Sequence, residues 1–303
     1  MKFDIVSFGS ALVDIFVESE IKERGNLMCY NVGEKIQIKE MDFSIGGGGF
    51  NSAVTFSRMG LKTALMTNIG NELLSEKILE RLKKEKISFL GIKKGKCGCS
   101  IILDSKEKDR TILTFKGAND FFYLKNVKVN TSWFYFSSLV GESYKTQLRI
   151  AKTKRYKIAF NPSSYFLKKE NVKEILPFIE ILILNKEEAE MISKDFKNIL
   201  NLGPRILIVT DGIKPVRCFF EKKEVVIYPH EKIKVIEKTG AGDAFASGFV
   251  ASYIKTGDII ESLKVALLNS ESVIQYKGST NKILTWEEVQ KDIKKKKFII
   301  NIN

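Results

Sequence analysis

Short apolar runs rich in branched and aromatic residues recur along the chain, each followed by a stretch with helical spacing. Lys2–Phe8 is the first; it ends at Gly9 and reads as a buried parallel strand. Phe50–Met59 has helical periodicity and closes on Gly60, a residue suited to a helix C-cap. Thr63–Asn68 is strand-like again, and Ser75–Lys84 places Ile78, Leu79 and Leu82 on one helix face. Further strand-like runs at Trp133–Phe136, Lys157–Phe160, Ile181–Leu184 and Ile206–Thr210 alternate with helical segments. That alternation predicts right-handed βαβ units and a parallel sheet covered on both faces. Helices at about 242–255, 259–276 and 286–297 finish the chain.

Two stretches break this rhythm. Ile15–Val17 and Glu34–Ile38 read as short strands around a polar loop holding Gly25, Asn26 and Asn31. Ser100–Leu103 and Arg110–Phe115 read as antiparallel strands joined by a charged hairpin turn. Segments at about 15–42 and 96–117 therefore predict a small sheet, inserted twice into a main domain that spans residues 1–303. Val216–Glu221 and Val225–Tyr228 predict a late hairpin turning at Lys222-Lys223. The chain shows no internal repeat, low-complexity segment or long linker.

Composition narrows the function classes. A chain of 303 residues is long enough for a sizeable core, and no apolar run approaches the length of a membrane span. The N-terminus reads directly into a strand rather than a secretory leader, so a cytoplasmic location and no membrane partner are expected. Cys29, Cys97, Cys99 and Cys218 lack metal-ligand spacing and are expected as free thiols. His230, the single histidine, cannot build a triad or a metal cluster, and is expected at a surface or edge. The net charge of +14 raises the question of nucleic acid. Yet the lysines are spread along the chain, and no aromatic–basic interleaving accompanies them. The charge reads as a lysine-rich solvated surface that helps attract anionic substrates, with no nucleic-acid partner.

Candidate chemistry lies where glycines precede helices. Glu237-Lys238-Thr239-Gly240-Ala241-Gly242-Asp243 runs into an apolar helix. A helix N-terminus carries unpaired amides and partial positive charge, and glycines let an anion come close. Asp243 then sets a carboxylate beside that anion site. A second run, Gly46-Gly47-Gly48-Gly49-Phe50-Asn51, fails the dinucleotide fingerprint because position 51 is Asn. The nearest phosphate-loop string, Gly91 to Cys97, has the wrong spacing. Asp14 follows a strand at the edge where open α/β sheets bind ligands, and a carboxylate can accept from two neighbouring hydroxyls. Asn185-Lys186-Glu187-Glu188 and Val209-Thr210-Asp211-Gly212 also sit at strand ends.

These motifs, in this order, resemble the ribokinase-like (PfkB) carbohydrate kinase family over nearly the whole chain. The resemblance implies a three-layer α/β/α fold with a mostly parallel central sheet and a small β-sheet lid. It implies that Asp243 is the general base and that Gly240, Ala241 and Gly242 form an anion hole for the transferring phosphoryl group of ATP. Asp14, Gly46, Gly47, Gly48 and Asn51 would bind the acceptor, joined by Glu142 and by Arg110 of Asp109-Arg110-Thr111. Asn185 and Glu188 would hold hydrated Mg²⁺, while Asn185, Thr210, Gly212, Gly240 and Gly242 meet the nucleotide. Glu237 and Thr239 mark the place of an activating monovalent cation. Glu237 and Lys238 stand where the family has Asp and Thr, which argues against K⁺ dependence. Gly70-Asn71-Glu72 also departs from the family's Gly-x-Asp-x-x-Gly pattern. The expected reaction is ATP-dependent phosphorylation of a simple sugar such as ribose or fructose. A nucleoside acceptor is the alternative; a sugar phosphate would need a basic cluster begun by Arg110 and Lys116. A non-catalytic binding protein of the same fold has no use for an intact Asp243. Exposed lid-sheet edges imply a homodimer, since an unpaired edge invites a partner.

Overall fold

Successive residues of the central strands enter different cores, and this puts the sheet in the middle of three layers. The computed structural model describes residues 1–19, 23–25, 27–105, 110–124, 127–231 and 233–303. Its helices are α1 (Gly48–Arg58), α2 (Leu73–Lys84), α3 (Gly141–Lys152), α4 (Ser164–Lys169), α5 (Lys186–Ile192), α6 (Lys197–Leu200), α7 (Ala241–Thr256), α8 (Ile259–Val273) and α9 (Trp286–Lys295). Ile5, Tyr135, Ile183 and Ile208 join a core with Phe56 of α1, Phe249 of α7 and Leu263 of α8. Their neighbours Val6, Phe136, Leu184 and Val209 join another with Leu148 of α3, Phe166 of α4 and Ile199 of α6. A strand buried on both faces reads as an unbroken apolar run, which is the pattern these segments carry.

Among the described residues, ten strands form this sheet. From Ile206–Asp211 through Ile181–Asn185, Lys157–Asn161, Thr131–Ser137, Phe3–Phe8 and Thr63–Met66 to Ser88–Phe89, every pair is parallel. Lys214–Phe220, Lys223–Ile227 and Ile300–Ile302 extend it antiparallel. Parallel register aligns the C-terminal ends: Ser137 faces Asn161, and Asn185 faces Thr210. Ligands of open α/β sheets bind at that edge.

Four other strands make a sheet of their own, ordered Arg110–Phe115, Cys99–Asp104, Leu12–Glu18 and Glu40–Gly46. Only Gly9, Ser10 and Ala11 separate the main-sheet strand Phe3–Phe8 from Leu12–Glu18. The buried Asn119 ties that crossing down: its Oδ1 accepts the Ala11 amide at 2.7 Å and the Thr67 hydroxyl at 3.3 Å.

The structure departs from the sequence expectations where partners decide. Glu34–Ile38 alternates like a strand, but the strand lies at Glu40–Gly46, whose register sets Gly46 opposite Leu12. α8 stops at Val273 rather than 276, because the Ile274 carbonyl accepts the amides of Ile236 and Glu237. Ile300–Ile302 adds an unexpected strand on Lys223–Ile227. The late hairpin turns at Glu221-Lys222, with Glu221 in the left-handed region at φ 53°. His230, expected at a surface or edge, is half-buried: its Nδ1 sits 2.8 Å from Glu271, and its Nε2 3.1 Å from the Lys297 carbonyl. The charged turn expected between Leu103 and Arg110 includes residues 106–109, which lie outside the described residues.

Candidate active site

α7 begins just after Gly240, which adopts the left-handed conformation at φ 81° and offers no side-chain cap. A Cβ here would lie 2.6 Å from the Ser279 carbonyl oxygen, so only glycine lets the two loops touch. The Ala241 amide turns back to the Lys238 carbonyl at 3.3 Å. Gly242 and Asp243 come next and border the cavity; a Cβ at Gly242 would meet nothing within 4 Å. The helix start thus presents an uncapped, positively polarised end to open space.

Asp243 takes its place from a residue far away in sequence. Asn51 of α1 donates its Nδ2 to Asp243 Oδ2 at 2.8 Å, while its own Oδ1 accepts the Ser279 hydroxyl at 3.0 Å. The carboxylate only accepts and so takes the NH₂ end of the amide, which leaves Oδ1 for the Ser279 hydroxyl. Burial pushes the Asp243 carboxyl above the usual carboxylate range, and the Asn51 bond and the Lys116 charge pull it back. The glycine run permits the approach of α1. A Cβ at Gly49 would lie 2.4 Å from the Gly9 carbonyl carbon, and one at Gly47 2.6 Å from the Ser10 carbonyl oxygen. At Gly48 it would enter the space between Ser137 and Asp243.

A cavity of about 350 Å³ opens above the strand ends. Gly48, Lys116, Asn185, Glu188, Thr210, Gly240, Gly242 and Asp243 line it, with a wall of serines at 10, 137, 138 and 163. Asn185 and Glu188 form a capping box at the start of α5: Asn185 Oδ1 accepts the Glu188 amide, and Glu188 Oε2 accepts the Asn185 amide. Glu188 Oε1 also accepts the Ser164 amide at 3.1 Å. Burial raises the Glu188 carboxyl, and these amides oppose the shift.

Residues 2–286 match the family described as pfkB family carbohydrate kinase. The chain belongs to that family. Among curated proteins, this pfkB-family chain is 28% identical to a ribokinase of Staphylococcus aureus over 94% of its length and 98% of the relative's. It is 24% identical to an ATP-dependent 6-phosphofructokinase of Thermoanaerobacterium thermosaccharolyticum, covering 92% of this chain and 90% of that one. Among solved structures, the nucleoside kinase of Methanocaldococcus jannaschii superposes with a TM-score of 0.84 at 22% identity, over 96% of this chain and 98% of that chain. The ribokinase-like fold expected from the motifs is therefore the observed one.

Within this pfkB-family site, the expected residues separate into groups. Gly48, Asn185, Glu188, Thr210, Gly240, Gly242 and Asp243 share the cavity. Asp14 is not among the lining residues; it is 7% exposed, its Oδ2 filling the space a Cβ at Gly46 would need, 1.9 Å away. Its carboxyl is pushed up to about 6 by burial, with the charges of Asp243 and Glu237 adding to the rise. Glu237 faces a second, larger cavity and accepts the Gly278 amide at 2.8 Å. Thr239 is half-buried one residue before Gly240. Gly212 sits in a left-handed turn at φ 58° after the strand that carries Thr210. Glu142 is not among the lining residues; it pairs with Lys145 at 2.7 Å on the first turn of α3. Asp109 and the Arg110 side chain lie outside the described residues. Sequence reasoning missed Ser279 and the serine wall. Ser279 had one faint signal, the glycine before it, which takes φ 92°.

Proposed function

We propose that this protein transfers the γ-phosphoryl group of ATP to a hydroxyl of a small sugar, first of all a ribose- or fructose-like one. One observation carries the reading: the Asp243 carboxylate, held by Asn51 at 2.8 Å, stands beside the uncapped start of α7. Asp243 takes the proton of the acceptor hydroxyl, and the glycine-flanked amides receive the charge that spreads over the phosphoryl oxygens. Asp14, Gly46, Gly47 and Asn51 shape the acceptor side. Asn185, Thr210 and Gly212 serve the nucleotide.

No group of three or more acidic, His or Cys ligands occurs among the described residues. The donor set at Asn185 and Glu188 suits Mg²⁺ held through water, because each Glu188 oxygen keeps a free lone pair beyond its amide bond. Bound there, Mg²⁺ would offset phosphate charge. The small sheet acts as a lid that keeps water from the acceptor. Glu237 ties its loop to Gly278 directly, which supports activity without K⁺. No helix among the described residues is long and apolar enough to cross a membrane, and Cys29, Cys97, Cys99 and Cys218 are free thiols; both fit a cytoplasmic enzyme.

An ADP-release assay over sugars, nucleosides and sugar phosphates tests the reading, with Asp243→Asn alongside. The variant keeps size and loses the proton acceptor, so turnover falls by about 10²–10⁴ while ATP affinity stays near wild type. In the wild type the acid limb of kcat/KM against pH lies above the ordinary carboxylate range, since the base is active only when ionised and burial opposes ionisation. More than about a tenth of kcat remaining in Asp243→Asn would refute the assignment of the base.

A further inference from the structure

Lys116 is the one basic side chain among the described residues that line the cavity. It follows the strand Arg110–Phe115, where the small sheet meets the main body. Its backbone carbonyl is occupied, accepting the Asn119 side chain at 3.0 Å and the Asn119 amide at 3.2 Å. The main chain is thereby fixed, and the long side chain can be replaced without disturbing the turn. Its charge acts on Asp243 and on Asp14. The wall around it is built of hydroxyls: Ser10, Ser137, Ser138 and Ser163. Ser137 is 3% exposed, and its Oγ has no hydrogen-bond partner. That hydroxyl and Asp243 Oδ1 lie 3.1 and 3.4 Å from the point a Cβ at Gly48 would occupy, so they flank one gap.

Charge decides what this arrangement is for. Asp243 and Glu188 already make the lining acidic. A phosphoryl group brings more negative charge, and helix amides answer it only with partial charges. We propose that Lys116 is the cation of the transfer step, binding the phosphoryl group together with the α7 amides. The proposal rests on reading the start of α7 as the phosphoryl site. The acceptor oxygen–phosphorus bond forms as the phosphorus–oxygen bond to ADP breaks. The hydroxyl proton passes to Asp243, and the ammonium keeps its protons throughout. Because Lys116 sits at the root of the small sheet, the seating of that sheet sets how far the charge reaches into the cavity.

Binding of ADP, Mg²⁺ and aluminium fluoride, which mimics the group in transfer, tests this in full-length Lys116→Met, Lys116→Arg, Asp243→Asn and wild type. Thermal melting first establishes that each variant is folded. Lys116→Met should bind ADP alone within about threefold of wild type but lose at least about tenfold of the affinity that fluoride adds. Its kcat at saturating acceptor should fall by about 10²-fold, with Lys116→Arg recovering most of the loss. Asp243→Asn should lose turnover yet keep the fluoride gain, which separates the base from the phosphoryl site. An unchanged fluoride gain in Lys116→Met overturns the proposal. So does a loss confined to KM for a phosphorylated sugar, which would make Lys116 a selector of anionic acceptors. A wild type that releases ADP with an acceptor but gains nothing from fluoride would sink this proposal alone, whereas one that releases no ADP with any acceptor would sink the phosphoryl-transfer reading beneath it.

Discussion

Asp14 carries an acid whose surroundings oppose its charge. Its carboxyl rises from 3.8 to about 6 because it is buried, with Asp243 and Glu237 nearby. A carboxyl raised in the folded state adds stability that is full below the unfolded value and is lost as pH climbs through the folded one. Asp14→Asn removes the titration, so its melting temperature should gain on wild type between about pH 4 and pH 6. The gain corresponds to at most about 3 kcal/mol. The same variant should bind acceptor more weakly than wild type and ATP equally well. Melting curves and acceptor titrations over that range check both; a melting difference flat with pH would mean that Asp14 is not buried as described. Asp243 and its glycines were legible in the sequence because their chemistry lies within one short motif. The Asn51–Asp243 bond was not, since it joins residues 192 positions apart. Asn51 was expected as a sugar contact, and in the structure its amide donates to the Asp243 carboxylate.

At the scale of elements, hydrophobic period gave the kind of segment and its partners set the ends. Glu34–Ile38 has strand alternation but no strand partner among the described residues, whereas Glu40–Gly46 pairs along its length with Leu12–Glu18. A tail such as Ile300–Ile302 becomes a strand only because Lys223–Ile227 offers an open edge. The loop before α7 depends on such contacts throughout. The Ile274 carbonyl holds Ile236 and Glu237, Glu237 reaches Gly278, and Gly240 packs on Ser279. These bonds connect the loop directly to the end of α8 and the turn after it. Activation by K⁺ should therefore be no more than a few-fold over tetramethylammonium at matched ionic strength, with ATP and acceptor saturating. A K⁺-specific rise of about tenfold or more would show that a cation still orders the loop.

For the molecule as a whole, the layered architecture was the most legible feature, because two-sided burial leaves unbroken apolar runs in the sequence. The small sheet was harder to read, being apolar where it is also exposed. Met41 and Phe43 on one edge strand and Leu113 and Phe115 on the other share one face of the sheet and are each 50–60% exposed. Isolated exposed apolar residues are ordinary, but a cluster on one open sheet is not. It supports a dimer of two copies meeting through this sheet. Sedimentation should give a dimer for wild type and a shift towards monomer for Phe43→Lys combined with Phe115→Lys, with melting largely preserved. A wild-type monomer at assay concentrations would end that reading.

The contact between Asp14 and Gly46 also constrains how such a protein could change over generations. The carboxylate fills the space where any side chain at position 46 would begin. A larger residue at 46 must push the Asp14 carboxylate aside, whereas Asp14 can be exchanged for something smaller at once. Change through this pair therefore runs more easily in one direction: position 14 shrinks first, and position 46 is then free to vary.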